Sequence, residues 1–199
     1  MKKTRILTEC ALMIALSTIL SFLVIWEAPL GGSVTVLSMI PIMLISIRHG
    51  IGWGLGSGFV YSIIQLIQGL KNIAYVPTVA GVVGSVMLDY ILPFTIIGIA
   101  GIFMKREFKN KKSEYLAILS GVVLALVLRF ICHFAVGGIV WYEITKVGEW
   151  NEYVKTVGMW TYSFVYNITF FGPEAALVLI ASPILPKLRS LKVSGYNKG

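Results

Sequence analysis

The stretch RFICHFAVGGIVW, residues 129–141, decides how this chain is read. It is apolar enough to cross a membrane, yet Arg129, His133, Gly137 and Trp141 recur within it at steps of four. A helix advances 100° per residue, so each step drifts only about 40° and the four residues form one stripe, about 18 Å long. Centring a charged side chain in lipid costs about 2.5–3.5 kcal/mol on insertion scales. The stripe must therefore face a cavity or a partner.

The rest of the chain agrees with a membrane setting. Its 199 residues are 57% hydrophobic and 13% charged, with a mean hydropathy of +0.84; soluble domains carry about 25% charged residues. At about 20 residues per crossing, six spans use up the chain. We expect an all-α integral membrane protein, a six-transmembrane-helix bundle in one domain over 1–199, with spans at 6–26, 35–48, 51–69, 79–103, 115–141 and 160–184. The second is short and needs its flanks or a tilt to cross. MKKTRILTECALMIALSTIL reads as a retained first helix, since no small-residue cleavage site follows it.

The net charge of +8 is a topology signal and does not point to nucleic acid. With both termini cytoplasmic, Lys2, Lys3, Arg5, Arg48, Lys105, Arg106, Lys109, Lys111, Lys112, Lys187, Arg189, Lys192 and Lys198 lie inside. Only Lys71, Lys146 and Lys155 fall in outer loops. That asymmetry follows the positive-inside rule. Cys10 and Cys132 lie inside separate spans and read as buried thiols, with no metal-type spacing.

Small residues mark packing faces. Ala11 and Ala15 form an AxxxA pair that suits either a helix contact within the chain or a surface for a partner. Gly50, Gly54 and Gly58 form GxxxG pairs, and no Walker motif occurs. WEAPLGGSVTV, residues 26–36, reads as an outer loop. The outer loop 142–160 is long for a connector and suits a segment that borders a site. Trp150 and Trp160 read as interfacial anchors.

Asp89, Arg129, His133 and Glu174 are the candidate ionisable side chains deep within spans, and Asn167 adds a buried amide. Two readings stand. Either Asp89 and Arg129 neutralise one another as structural glue, or these groups line a pocket in the outer half of the bundle. Glu174, after Pro173, suits a pocket rim or a structural cap. A pocket would offer a carboxylate, the indole of Trp141, the phenols of Tyr90 and Tyr162, and the polar edges of His133 and Asn167. That inventory fits a flat, cationic, heteroaromatic ligand.

The segments LTECALMIA, IPIMLISIRHG, LDYILPFTIIGIAGIF, RFICHFAVGGIVW and WTYSFVYN together resemble the thiamine-specific substrate-binding subunit (S-component) of energy-coupling-factor (ECF) transporters. The resemblance implies a six-helix fold without enzymatic activity or a cofactor, thiamine being the transported ligand. It places the vitamin near the extracellular side, under the loop joining spans one and two. It implies partners too: a transmembrane scaffold subunit and two ATPase subunits, in the cell membrane. By motif, the acidic-Tyr pair falls on Asp89 and Tyr90, the basic residue on Arg129 and the histidine on His133. The close-approach glycine falls on Gly137, the stacking indole on Trp141, the Tyr-x4-Asn pair on Tyr162 and Asn167, and the scaffold-docking pair on Ala11 and Ala15. Asp89 departs from the glutamate of some members, and GGSV stands where some carry an aromatic.

Two rivals belong to other classes. A self-sufficient proton-coupled carrier would use Asp89, His133 and Glu174 as a relay, although no paired broken helices or inverted repeats are evident. An intramembrane enzyme would need a nucleophile–base or metal constellation, which His133 and His49 do not supply.

Overall fold

The computed structural model describes residues 2–29, 31–105, 107–148 and 152–191. Arg106, Trp150, Lys192 and Lys198, named above, lie outside these residues. Helix α1 (Lys2–Phe22) stops short of the expected edge at 26. The β-branched pair Val24 and Ile25 continues instead as strand β1 (Val24–Glu27), antiparallel to β2 (Ser33–Thr35). The expectation of a purely helical chain and of an irregular first loop is corrected by this hairpin. Its turn needs glycine: Gly31 and Gly32 have φ of 95° and 87°. A Cβ on Gly32 would also lie 2.6 Å from the ring of Phe170.

Helix α2 (Ile40–His49) corrects the expected span at 35–48. Its ten residues reach about 15 Å, half the hydrocarbon thickness. Ile40 to Ile47 are buried on every side, so α2 is an apolar core helix wrapped by its neighbours. Gly50, at φ 94°, turns the chain into α3 (Ile51–Ile73). Then follow α4 (Val79–Ile99), α5 (Lys111–Val147), the short α6 (Tyr153–Thr156) and α7 (Met159–Ser190). The described residues thus hold seven helices, of which α1, α4, α5 and α7 are long and apolar enough to cross a membrane. The expected count of six is not reproduced on that measure. Helix α3 has the length, with 23 residues, but carries Gln65, Gln68, Lys71 and Asn72 toward its end.

Glycines seat α3 on α4. A Cβ on Gly54 or on Gly98 would run into the other's backbone, and one on Gly58 would lie 2.8 Å from the carbonyl of Thr95. Met39, Ile42, Met43, Ile45, Ile97, Ile118 and Val122 are fully buried between the helices. Leu12, Ile19, Phe22, Ile67, Ile131 and Ile180 point outward and are exposed, as the lipid-facing surface of a membrane protein requires. Cys10 and Cys132 are free and buried. At the end opposite the hairpin, Glu9 pairs with Arg48 and His49, and Glu114 pairs with Arg189.

Gly98→Val should lower stability by about 1–3 kcal/mol, the usual cost of overpacking. Gly52→Ala, with no heavy atom near its added Cβ, should leave the melting temperature in detergent unchanged or slightly raised, alanine being the better helix former.

Candidate functional site

Two helices widen where the chemistry sits. Val86–Ile91 in α4 and Gly137–Trp141 in α5 are π-helical, closed by Leu92 N–H donating to Met87 O and Tyr142 N–H donating to Gly137 O. Pro93 gives a reason for the first. It has no N–H for the carbonyl of Asp89 and its ring crowds that turn. Gly137 and Gly138, poor helix formers, open the second. A π turn holds more than four residues, so a step of four falls short of a full turn. This offsets the drift of the 129–133–137 stripe and keeps Trp141 on its face.

The two widened turns meet directly. Trp141 Nε1 donates to Asp89 Oδ2 at 2.8 Å, and His133 Nδ1 stands 3.4 Å from Asp89 Oδ1. Behind them opens a cavity of about 300 Å³, at the small-ligand end of the usual range. Asp89, Tyr90, Arg129, His133, Gly137, Trp141, Tyr162 and Asn167 all line it. Ala11 and Ala15 lie elsewhere, exposed on α1, so the reading of AxxxA as a contact within the chain is corrected.

Arg129 does not neutralise Asp89. Its NH1 group meets Glu174 Oε2 at 3.1 Å, both side chains almost wholly buried, and Thr35 Oγ1 donates to Glu174 Oε1 at 2.8 Å. The guanidinium also lies 4.6 Å from the ring centre of Phe94. Glu174 is therefore the structural cap of the two alternatives. Its carboxylate oxygens accept from Arg129 and Thr35, and among the described residues no hydrogen bond joins His133 to Glu174 for a relay from Asp89.

Hydrogen bonding assigns the remaining polar edges. Asn167 Nδ2 donates to Ser163 O at 2.8 Å and to His133 O at 3.3 Å, which leaves its Oδ1 to accept from a ligand. Among the described residues, His133 Nε2 is buried without a partner. Tyr162 donates its hydroxyl to Thr145 and Tyr90 donates to Gly69 O, so both present mainly rings. Gly137 lets α7 come close: a Cβ there would meet Ser163 Oγ and lie 2.7 Å from Asn167 Nδ2.

Several lining residues escape a reading of the sequence. Tyr166 and Phe170 extend the ring ladder from Tyr162 at steps of four, the one signal that could have found them. The hairpin contributes Glu27, Gly31, Gly32 and Ser33, and Tyr166 donates its hydroxyl to Gly31 O at 2.9 Å. The long 142–160 loop does not border the cavity; among the described residues none between Tyr142 and Thr161 lines it.

A family model described as thiamine transporter protein (Thia_YuaJ) matches residues 7–193. The chain belongs to this family. The family is one of transporters, and the chain is not an enzyme. It is 31% identical over 186 residues to the thiamine transporter ThiT of Bacillus subtilis (strain 168), covering 90% of this chain and 88% of that one. The ThiT of Lacticaseibacillus paracasei is 27% identical over 138 residues, 65% of this chain and 61% of its own. A solved structure of ThiT from Listeria monocytogenes shares the fold, with a TM-score of 0.72 at 24% identity, covering 95% of this chain and 99% of that one.

Gly137→Ala should displace Asn167 and cost about 1–3 kcal/mol through overpacking and lost hydrogen bonds. Adding Ser163→Ala, which removes the nearer clashing atom, should recover part of that loss in thermal unfolding.

Proposed function

We infer that this chain is the thiamine-capturing subunit of an ECF-type uptake transporter. It forms one domain over 1–199 that crosses the cell membrane six times, the second crossing made by β2 and the half-length α2 together and the third by α3, with both termini cytoplasmic. The charge asymmetry of its loops supports that orientation. Thiamine enters from the extracellular side, beside the hairpin. Asp89 offsets the thiazolium charge, and Trp141, oriented by its bond to Asp89, stacks on the pyrimidine. His133 Nε2 and Asn167 Oδ1 hydrogen-bond the pyrimidine edge. Tyr90 and Tyr162 wall the ligand, Arg129 sits at the cavity's inner wall, and Gly137 lets the walls close. Family membership supports the ligand's identity, and the Asp89–Trp141 pair lining the cavity carries the reading.

Uptake itself falls to partners. A transmembrane scaffold subunit docks on the exposed Ala11 and Ala15 of α1, and two ATPase subunits supply the energy. The chain alone in liposomes should bind thiamine but not concentrate it under a pH gradient; accumulation there would favour the proton-coupled carrier.

Asp89→Asn and Trp141→Ala should each weaken thiamine binding by about tenfold or more, the scale of a lost charge or stacking contact. Titration followed by tryptophan fluorescence for Asp89→Asn and by calorimetry for Trp141→Ala checks this. Affinity within about twofold of wild type in both would refute the assignment.

A further inference from the structure

Among the described residues, the charged side chains lining the cavity are Glu27, Lys71, Asp89 and Arg129. Acids and bases cancel among these four. Glu27 and Lys71 pair at 3.2 Å on an exposed rim, which leaves Asp89 and Arg129 as the inner charges. Such a lining has no net preference for a cation over an uncharged ring of the same shape. Glu174 alters the balance from behind the wall. It is 2% exposed, does not itself line the cavity, and pairs with Arg129 at 3.1 Å. Phe94, 4.6 Å from the guanidinium, helps hold that charge in place.

We propose that Glu174 sets the cation selectivity of the cavity by cancelling Arg129, so that Asp89 is the net charge a ligand meets. Glu174 is a positioning residue: it acts through Arg129 and touches no ligand. Thr35, which donates to its other oxygen at 2.8 Å, ties the same carboxylate to the base of the hairpin. The inference rests on the reading of the cavity as a site for thiamine. A unit charge left uncompensated several ångströms away, at an effective dielectric constant of about 20, shifts cation binding by about tenfold or more.

The test compares two ligands by calorimetry: thiamine, and its isostere with an uncharged thiophene in place of the thiazolium. The readout is the ratio of their affinities, which a general loosening of the site would not move. In Glu174→Gln the ratio should fall by about tenfold, chiefly through thiamine. In Arg129→Met, with one negative charge in excess, it should rise by about threefold or more. In the double variant Arg129→Met/Glu174→Gln it should return to within about threefold of wild type. Equal losses for both ligands in Glu174→Gln, or a double variant with the ratio of Glu174→Gln, would overturn the proposal. Should Glu174→Gln fail to fold, the other two variants decide; an unchanged ratio in Arg129→Met then sinks it. Wild-type protein that binds neither compound overturns the thiamine reading and this one together. A wild type that prefers thiamine, with every variant keeping its ratio, overturns this one alone.

Discussion

Arg129 and Glu174 meet with almost no access to solvent, and most of the site is arranged around that contact. Removing two charges from water costs several kcal/mol per ion, and only close geometry with further hydrogen bonds offsets the loss. A guanidinium in the middle of α5 thus needs a carboxylate from another helix, which α7 supplies just after Pro173. Thr35 and Ser38, hydrogen-bonded to each other at 2.7 Å, extend the network to the hairpin's base. With α5, α7 and the hairpin held in register, Tyr162, Tyr166 and Phe170 stand opposite the stripe of Arg129, His133 and Trp141. The cavity is the space left between them.

The second constraint is the local failure of α-helical geometry. Asp89 and Trp141 each sit in a turn that has opened to π form, and these two side chains bond each other. Single widened turns recur at functional sites because they redirect side chains that a regular helix would rotate away. Pro93 and the Gly137–Gly138 pair supply the weaknesses that make the widening cheap at these two places.

Much of the site was legible in the chain. An ionisable residue within an apolar span must face something other than lipid, and spacing by four groups such residues on one face. That reasoning, with the phenols, the buried amide and the family resemblance, named eight of the residues that line the cavity. It missed Tyr166 and Phe170, because an aromatic in a span is ordinary where lipid is the default neighbour. It named only Asp89 as a partner for Arg129 and did not reach Glu174, which holds it. That choice depends on how α4 and α7 are rotated about α5. The fold was legible in part: the helix-rich membrane character followed from composition. The hairpin did not, since a Gly-Pro stretch between apolar runs reads the same whether its flanks pair or stay irregular. Neither did the shortness of α2, because an all-apolar segment looks alike in lipid and in a protein core.

The amino-acid sequence by itself determined that this is a membrane protein, through hydropathy and low charge. It also determined which side chains must avoid lipid, through the cost of burying them there. The tertiary structure alone decided which buried charge answers which, that the first loop pairs as a hairpin, and that Ala11 and Ala15 face outward. Pairing and facing depend on the rotation of one helix about another. That rotation is set by contacts such as Gly137 with Ser163 and Asn167, between residues far apart in the chain.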